Sequence, residues 1–422
     1  MIDMLSETLF GTDEMMTSLM QKRKTSGVVW KVVFLFSTSL AILFLLLLLV
    51  SVIDSTFGYV AVRNEVEPHQ LVEGKAEVSE FSRIELESVL QEHLSSGILR
   101  RVIHEKPLEE RSDKDLVSLA EQYVIKPSVV RSWGLGDSLL DQNSIGAFMA
   151  ANEGLHLSFR SWINWSFFVS DQSANPLNAG VRTAFLGSLW IIMITFFFAF
   201  PIGVGAAIYL EEYAQDNKLN RLLQLNIFNL SAVPSIIYGL LGLAVFVRSM
   251  EHITSGSFLS SVADTTANGR TILSGGLTLA LLVLPIIIIN TQEALKAVPD
   301  SLRMSSYGVG ATKWQTIASH VLPASIDRIL TGTILALSRA LGETAPLVVI
   351  GASTFISVDP SSIFSKFTTL PIQIYQWSAR PQGAYRNVAG AAIITLLLLL
   401  MAMNSFAIIM RDKISKKKRM ES

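Results

Sequence analysis

The chain has 422 residues, 34 Lys and Arg against 35 Asp and Glu, and a mean hydropathy of +0.44. It contains no cysteine, which excludes disulfides, thiolate catalysis and cysteine-ligated metals. The near-neutral charge argues against a nucleic-acid-binding protein, because such proteins carry a basic face. Most of the apolar residues fall in largely uncharged blocks of about 18 or more residues, long enough to cross a hydrocarbon core of roughly 30 Å. The sequence therefore predicts an integral membrane protein.

Six apolar blocks are predicted to cross the membrane as helices, and the first covers residues 32–53. This block runs directly into Asp54, without a small-residue cleavage site, so we interpret it as an uncleaved anchor rather than a signal peptide. Pro234 and Gly239 are expected to bend or locally open the third block. The five later blocks cover residues 183–210, 225–247, 274–291, 329–352 and 387–410.

Basic residues flank both ends of the chain. Lys22, Arg23 and Lys24 precede the first span, and six basic residues follow the last span. An even number of spans places both ends on one side, and basic flanks stay in the cytoplasm. We therefore expect a cytoplasmic segment at residues 1–31 and a cytoplasmic tail at residues 411–422, whose lysines contact anionic membrane lipids rather than nucleic acid.

Between the first two spans lies a segment of 128 residues, residues 54–181, which we name the insertion. By the same topology it is periplasmic, and its 19 acidic and 11 basic residues make it acidic. Capping boxes that begin at Ser82 and Ser112, together with apolar residues at helical spacing after the first of them, predict a mainly helical fold.

Residues 293–325 form a long loop between the fourth and fifth spans, on the cytoplasmic side. The sequence predicts two short helices joined by a turn at Gly310, with the second helix ending before Pro323. Trp314 and Ile317 lie on one face of that second helix. A cytoplasmic face with these side chains requires cover, either from a partner or from the ends of the chain's own helices.

The fifth span contains two charged residues, Arg339 and Glu343. Arg339 lies ten residues into the span, about 15 Å along a helix and thus near the middle of the bilayer. Glu343 is one turn further on the same face, so the two side chains are expected to pair. Each such charge costs about 2.5–3.5 kcal/mol at a helix centre, which predicts that the pair faces the bundle interior or an aqueous path. The alternative is an ion pair that only fixes helix packing.

The loop resembles the EAA loop of the ABC-importer permease family. In that pattern a Glu-Ala-Ala triplet is followed by a glycine and, nine residues later, by I-x-L-P; Gly310, Leu322 and Pro323 fall at the matching positions. The sequence departs from the pattern where Met304-Ser-Ser replaces the triplet and where His320 replaces the isoleucine. In the family this loop is the coupling helix that docks in a groove of the ATPase subunit.

A second match narrows the resemblance to the phosphate-importer permeases of the PstA type. The fifth span contains RALGETAPL at 339–347, similar to the RAxGETAPL segment of those permeases, and AVPSIIYGLLG at 232–242 is a further match. The similarity covers roughly residues 163–410. The insertion is not part of the common core, although some PstA-like proteins carry an extension of this kind.

The resemblance implies an all-α polytopic fold of the type I ABC-importer permeases, with a permease core at residues 182–410 and the coupling loop at 293–325. It implies a phosphate channel in the bacterial inner membrane that is shared with the sister permease PstC. Two copies of the ATPase PstB would use ATP, and the periplasmic protein PstS would deliver phosphate. The chain itself contains no G-x-x-x-x-G-K-[ST] motif, so we expect a transporter subunit without catalytic residues, cofactor or metal of its own.

The residues that carry these roles form two sets. A guanidinium offers paired donors that match phosphate, so Arg339 is expected to recognise the anion, with Glu343 holding it until the anion competes. An acidic insertion would repel such an anion, and we therefore interpret the insertion as a brace rather than as a receptor. The substrate-pathway candidates are Arg339, Glu343, Thr344 and Ser235, and the coupling candidates are Gly310, Ala311, Trp314, Ile317 and Pro323.

Three alternatives stay open. Another oxyanion, such as a phosphonate, is the closest one. An ion-coupled secondary transporter would need its own coupling-ion site, and the second half of the chain does not resemble the first as it does in inverted-repeat carriers. A membrane sensor with the insertion as its input would need a cytoplasmic output domain, for which no cytoplasmic segment is long enough.

Overall fold

The computed structural model describes residues 13–421 except 73, 76, 258–267, 353–354 and 357. Within this part of the chain five helices are long and apolar enough to cross a membrane, and two consecutive bent helices make a sixth crossing if they are counted as one span. This confirms the predicted all-α polytopic membrane fold with about six spans. The chain divides into two compact units, residues 1–54 and 55–422, which are described separately.

In its described residues the first unit is one long helix, α1 (Asp13–Thr56), whose last two residues belong to the second unit. The predicted span at 32–53 lies within it. The helix begins about five turns earlier than that span, because residues 13–31 contain neither proline nor another strong helix breaker before Gly27.

Leaving aside residues 73 and 76, which the structure does not describe, the insertion contains seven short helices and one small antiparallel sheet. Its helices are α2 (Pro68–Leu71), α3 (Arg83–His93), α4 (Ser96–Glu105), α5 (Asp113–Ala120), α6 (Leu135–Leu140), α7 (Gln142–Ala151) and α8 (Trp165–Val169). Single helical turns also occur at Val78–Glu80, Leu108–Glu110, Glu121–Ile125 and Pro176–Asn178. The strands are β1 (Phe57–Arg63), β2 (Ser128–Ser132) and β3 (His156–Ser161).

The three strands form a sheet of order β2-β1-β3, and the sequence analysis did not anticipate it. Val60 pairs with Ser132 on one side and with Ser158 on the other. The strands are short and far apart in sequence, with 64 residues between β1 and β2, so the local apolar pattern does not show which segments pair. The predicted mainly helical character holds for the rest of the insertion.

Both predicted capping boxes are present at the starts of α3 and α5. The Glu85 carboxylate accepts from the backbone N–H of Ser82 at 2.6 Å, and the Asp115 carboxylate accepts from that of Ser112 at 3.3 Å. Leu86 and Leu90 of α3 are buried together with Leu116 of α5 in a small hydrophobic core of the insertion.

The insertion is joined to the last membrane helix by two buried polar side chains. The Asn387 amide donates to the carbonyl of Ser55 at 2.7 Å, and its oxygen accepts from the Ser132 hydroxyl at 2.8 Å. The Tyr385 hydroxyl donates to the carbonyl of Ala174 at 2.6 Å. These bonds hold both the sheet and the last loop of the insertion against the start of that helix.

The core contains eleven helices within the described residues, and three of them are extended by π-helical turns. They are α9 (Arg182–Ile208), α10 (Lys218–Ser231), α11 (Ser235–Gly242), α12 (Glu251–Thr254), α13 (Ile272–Lys296), α14 (Asp300–Gly308), α15 (Lys313–Thr316), α16 (Leu322–Gly342), α17 (Ala345–Ile350), α18 (Leu370–Ser378) and α19 (Ala384–Glu421). The π-helical turns are Tyr209–Tyr213 after α9, Leu243–Ser249 after α11 and Ile317–Val321 between α15 and α16. The long helices α9, α13, α16 and α19 pack around one hydrophobic core.

The third predicted span is not one helix. Its first part belongs to α10 and its second part to α11, and the two helices are bent by 105° at residues 232–234. Pro234 stands at this break, as predicted, since its ring cannot continue α10. Gly239 lies inside regular α11, so the expected opening at Gly239 was wrong.

The fifth predicted span is also interrupted, and its boundaries were wrong at both ends. α16 ends at Gly342 and α17 begins at Ala345, because Pro346 lacks the N–H that a continuous helix would need. At the other end Pro323 does not stop a helix. The helix runs from Lys313 to Gly342 without a break, since the π-helical turn before Pro323 widens the backbone and accommodates its ring.

Candidate functional site

The break between α16 and α17 positions the two charged side chains of the fifth span. Glu343 is the first residue beyond α16, with extended backbone at φ −76° and ψ 121°, and Thr344 then opens α17. The Glu343 N–H still donates to the carbonyl of Ala340 at 3.1 Å. The expectation that Glu343 continues the same helix was therefore wrong, although the residue stays close to Arg339.

Arg339 and Glu343 form the predicted ion pair, with 3.6 Å between the Arg339 Nε and the Glu343 Oε1 atoms. Their surroundings differ, because the side chain of Arg339 is 60 % exposed and that of Glu343 is 20 % exposed. The interior of this chain's own bundle thus does not cover the guanidinium. A charged side chain at membrane depth that its own chain leaves open must face a partner subunit or an aqueous path.

The short helix α17 packs against α11, so the two segments that carry the PstA-type resemblance are neighbours. A Cβ atom at Gly239 would lie 2.7 Å from the Cα atom of Pro346, and one at Gly242 would lie 2.1 Å from the hydroxyl of Thr278 on α13. The small residues of α11 therefore allow close helix contacts. Gly239 therefore serves the close packing of α11 against α17.

Ser235 and Thr344 flank this contact without joining the ion pair. Ser235 is the first residue of α11 and Thr344 precedes α17, and both are partly buried. Within the described residues no hydrogen bond or ion pair connects Ser235 with Arg339 or Glu343. Arg339, Glu343 and Thr344 thus lie close together because they are neighbours in the sequence. Ser235 is related to them only because α11, which it begins, packs against α17.

The loop after α13 presents a turn and an exposed apolar surface at the opposite end of α16. Gly310 has the predicted left-handed backbone, with φ +83°, and a Cβ atom there would meet no neighbour within 4 Å. Trp314 is 58 % exposed, so the ends of the chain's own helices leave most of this side chain open. The geometry leaves the indole free for a partner surface.

Ile317, Ala311 and Pro323 differ from Trp314 in exposure. Ile317 is fully buried against its own chain and therefore offers no surface to a partner, which corrects the expectation that it shares an open face with Trp314. Ala311 and Pro323 are partly buried. The three residues position the exposed part of the loop.

Two exposed apolar residues of the same loop were missed by the sequence analysis. Val309 is 85 % exposed and Met304 is 69 % exposed. Together with Trp314 they form what we name the coupling surface. The exposure of Val309 could have been predicted, because this residue lies between two glycines of a turn, where its side chain has no neighbouring helix to pack against.

The loop is anchored by a partly buried ion pair that was also missed. The Arg303 guanidinium lies 2.9 Å from the Glu212 carboxylate, with side chains 15 % and 7 % exposed, and it also donates to the carbonyls of Leu295 and Val298. The pair links α14 to the π-helical turn after α9. Sequence alone gives no sign of this pairing, since the two residues are 91 positions apart.

No group of three or more His, Asp or Glu side chains among the described residues is arranged to hold a metal ion. The ion pair at the helix break can therefore bind a ligand by charge, and the coupling surface can bind a partner by apolar contact.

Comparisons with known proteins show the family of the core. Residues 199–420, more than half of the chain, match the family described as binding-protein-dependent transport system inner membrane component. The probable ABC transporter permease protein YqgI of Bacillus subtilis is 29 % identical over 255 residues, covering 57 % of this chain and 81 % of that protein. The phosphate transport system permease protein PstA of Yersinia pestis is 33 % identical over 234 residues, covering 55 % and 72 %.

Solved structures give a weaker likeness. The MetNI methionine ABC transporter in an inward-facing conformation is 18 % identical, with a TM-score of 0.42, over 54 % of this chain and 94 % of that chain. The family match, by contrast, runs from the later part of α9 to α19 and includes the helix break and the coupling loop. The chain thus belongs to the family of binding-protein-dependent transport system inner membrane components and is a permease subunit of an ABC importer.

Proposed function

We propose that this chain is a PstA-type permease that moves inorganic phosphate into the cytoplasm, with ATP hydrolysed by a separate subunit. The observation that carries the substrate is the similarity to proteins named PstA, at about a third identity over more than half of the chain. The exposed guanidinium at the helix break supports an anionic substrate.

Arg339 is the group that recognises the anion in this proposal. Its guanidinium can donate two parallel hydrogen bonds to one phosphate. Its present partner, Glu343, holds it at 3.6 Å, longer than a strong charge-assisted hydrogen bond. An arriving phosphate therefore competes for the guanidinium against a loose contact, while Thr344 and Ser235 line the neighbouring helix ends.

The coupling surface docks on the ATPase, which we take to be a PstB dimer. Met304, Val309 and Trp314 supply apolar contact, and Gly310 makes the turn that presents them. The Arg303–Glu212 pair fixes α14 of this loop to the π-helical turn that follows α9. Movement of the ATPase is thereby passed to α9 and α16.

The remaining assignments follow from this orientation. The coupling loop is cytoplasmic, as are both ends of the chain, and the insertion is periplasmic in a bacterial inner membrane. The sister permease PstC covers Arg339, and PstS delivers phosphate from the periplasm. The insertion braces the complex through its bonds to Asn387 and Tyr385. A thiol reagent confined to the periplasm should label a cysteine placed at Ser112, and labelling only from the cytoplasm would reverse this topology.

Phosphate uptake into cells with the gene deleted, and restored on a plasmid, tests the function. We expect uptake of labelled phosphate to depend on the gene and to fail when the partner ATPase carries an inactive ATP site. Uptake that continues with the inactive ATPase would favour an ion-coupled carrier. Strong competition by a phosphonate, but not by phosphate, would replace the substrate by another oxyanion.

A further inference from the structure

Among the described residues, a groove on the surface of α9 is lined only by apolar side chains. Its volume is about 430 Å³. Trp190, Met193, Ile194, Phe197 and Phe198 of α9 form its floor. Its walls come from α12, from the second residue of α13 and from the loop that leads to α18. None of the lining residues belongs to the helix break or to the coupling surface, so the groove requires an explanation of its own.

The floor of the groove is open to the surroundings of the protein. Met193 and Phe197 lie one helical turn apart and are 50 % and 66 % exposed, and Phe198 is 42 % exposed. Ile194 is buried, because it packs against α13. Contact of such large apolar side chains with water is unfavourable. The groove therefore suits an apolar occupant.

The depth of the groove follows from the contact between α9 and α13. A Cβ atom at Gly276 would lie 2.5 Å from the Cγ2 atom of Ile194, so the two residues are level. Gly276 lies about 6 Å below Ile272, the first residue of α13, and Phe198 lies about 6 Å deeper than Ile194. The groove thus covers about 12 Å, within the roughly 15 Å of hydrocarbon that half of a 30 Å core provides. Because α9 begins where the insertion ends, this half is the leaflet on the side of the insertion.

The end of the groove nearer the insertion changes from apolar to polar. Ile253 of α12 and Phe364 line this end. A Cβ atom at Gly256 would lie 2.8 Å from the Cγ atom of Phe364, so the glycine allows the ring to lie close to the backbone here. Next to Ile253 in the sequence, His252 places its Nδ1 atom 2.8 Å from the Ser257 hydroxyl. An apolar groove with a polar end matches the two parts of a phospholipid.

A transmembrane helix is the other apolar occupant available at this depth. Over about 12 Å of length, a helix 10 Å across fills roughly 900 Å³, about twice the volume of the groove. The groove also lies apart from Arg339, because α13 packs against α9 at Gly276 and against α16 at Asn290. A sister permease that covers Arg339 therefore approaches the α16 side of α13. Both observations favour an extended hydrocarbon chain over a helix.

We propose that the groove binds one acyl chain of a phospholipid from the leaflet on the side of the insertion. The chain lies along α9 between Trp190 and Phe198, and the headgroup lies beside His252 and Ser257. Such a lipid fills the space between α9, α12 and the loop that leads to α18. It is then a bound component of the protein that does not exchange with the bulk membrane as freely as other lipids do.

Native mass spectrometry of the full-length protein, purified with its partner subunits, counts the phospholipids that stay bound. Met193→Trp fills the groove, and we expect this variant to retain one phospholipid fewer than the unaltered protein. Met401→Trp is the matched control, because Met401 on α19 is also exposed and does not line the groove. The same count in Met193→Trp and in the unaltered protein would show that the groove holds no lipid. An equal loss in both variants would contradict a specific site as well.

Tryptophan fluorescence tests the same site without filling it. The complex is reconstituted into vesicles of phosphatidylethanolamine and phosphatidylglycerol brominated in their acyl chains, and it is then extracted into detergent. The signal of Trp190 is the difference between the unaltered protein and Trp190→Phe, and that of the exposed Trp30 on α1 is obtained in the same way. We expect quenching of Trp190 to persist in detergent while quenching of Trp30 is lost.

Two results of the fluorescence experiment would overturn the proposal. Full recovery of both signals in detergent would mean that Trp190 contacts only exchangeable lipid. A Trp190 signal that is not quenched even in the vesicles would mean that a protein segment, rather than a lipid, covers the groove. Neither result depends on phosphate uptake, so the lipid site and the proposed function can fail separately.

Discussion

Among the described residues, two helices of the insertion and two of the core begin with a capping box, but with different side chains. In the insertion both capping boxes use a carboxylate, Glu85 with Ser82 and Asp115 with Ser112. In the core the two capping boxes are neutral. Ser274 pairs with Thr271 at the start of α13, and Gln315 pairs with Thr312 at the start of α15.

At α13 the neutral cap is explained by its buried surroundings, whereas the neutral cap of α15 lies at the surface. A carboxylate near a helix N-terminus interacts favourably with the helix dipole where water also solvates it. Thr271 and Ser274 are fully buried, and there a carboxylate would lose its hydration. The core accordingly uses hydroxyls for hydrogen bonds within the bundle and places most charges at helix ends. Arg339 and Glu343 also lie at a helix end, but this end is the break within the fifth span, which is why they are candidates for function.

The largest effect is expected from removing this ion pair. The double variant Arg339→Met with Glu343→Leu removes both charges and keeps the side-chain volume. We expect it to assemble and hydrolyse ATP but to lose phosphate uptake, since the anion no longer meets a guanidinium at this depth. Assembly, ATPase rate and uptake are measured on the same preparation.

The single variants provide the comparison for this experiment. Arg339→Ala and Glu343→Ala each leave one charge without its partner, at a cost of up to about 3–5 kcal/mol where burial is complete and less for the exposed Arg339. Both should therefore reduce assembly more than the double variant does. Normal uptake by the double variant would show that the pair only fixes helix packing.

A carboxylate placed in the neutral cap of α13 tests the comparison directly. Ser274→Asp should destabilise the core by about 3 kcal/mol, because the new charge is buried in a membrane helix. Gln315→Glu makes the same kind of change at the exposed start of α15 and should be neutral or slightly stabilising. Thermal unfolding of both variants checks this, and equal effects would remove the role assigned to the surroundings.

The Arg303–Glu212 pair shows what a charge contributes at the edge of the core. Glu212→Ala leaves a guanidinium that is only 15 % exposed, although it keeps its bonds to two carbonyls and its ion pair with the exposed Asp300. We expect a loss of roughly 2 kcal/mol in stability and weaker coupling of ATP hydrolysis to uptake. Glu211→Ala is the control, since its partner Lys296 is 59 % exposed and such pairs contribute at most about 1 kcal/mol. A similar loss in both variants would contradict the anchoring role.

Alanine variants of two glycines in the coupling loop distinguish the effect of backbone strain from that of an added side chain. Gly310→Ala should cost about 1–2 kcal/mol because its φ of +83° disfavours any Cβ atom, and it should misplace the coupling surface. Gly308→Ala, at the end of α14, also meets no neighbour and should be neutral or stabilising. Uptake per ATP hydrolysed is the measurement. Equal coupling in both variants would mean that the turn is not needed for docking.

Structural features that depend on residues close together in the sequence could be predicted from the sequence. The capping boxes, the Gly310 turn, the break at Pro234 and the Arg339–Glu343 pair all depend on local spacing, and each is present. The continuation of the helix through Pro323 was not readable, because a π-helical turn has no fixed sequence pattern.

Contacts between residues far apart in the sequence could not be predicted in this way. The Arg303–Glu212 pair and the strand partners of Val60 depend on how the chain returns to itself. The same holds for exposure, since Trp314 and Ile317 share a helix face by spacing but differ in burial. Only the structure could therefore show which candidate residues are exposed to a partner and which are buried within this chain.

The smallest effect concerns the carboxylate cap of α3, and it depends on pH. Hydrogen bonds from Lys75 and from Ser82 lower the pKa of Glu85 from 4.5 to about 2. A carboxyl group whose pKa is lowered by folding contributes stability above its unfolded pKa, and that contribution is lost as pH falls through the folded pKa. The start of α3 should therefore stay intact at pH 4.5 and loosen only towards pH 2. Amide hydrogen exchange of residues 83–86 in the full-length protein measures this, with Glu85→Gln as the variant whose exchange no longer shows this step. A step close to pH 4.5 in the unaltered protein would mean that the carboxylate caps nothing, and the contrast with the neutral caps of the core would lose its clearest case.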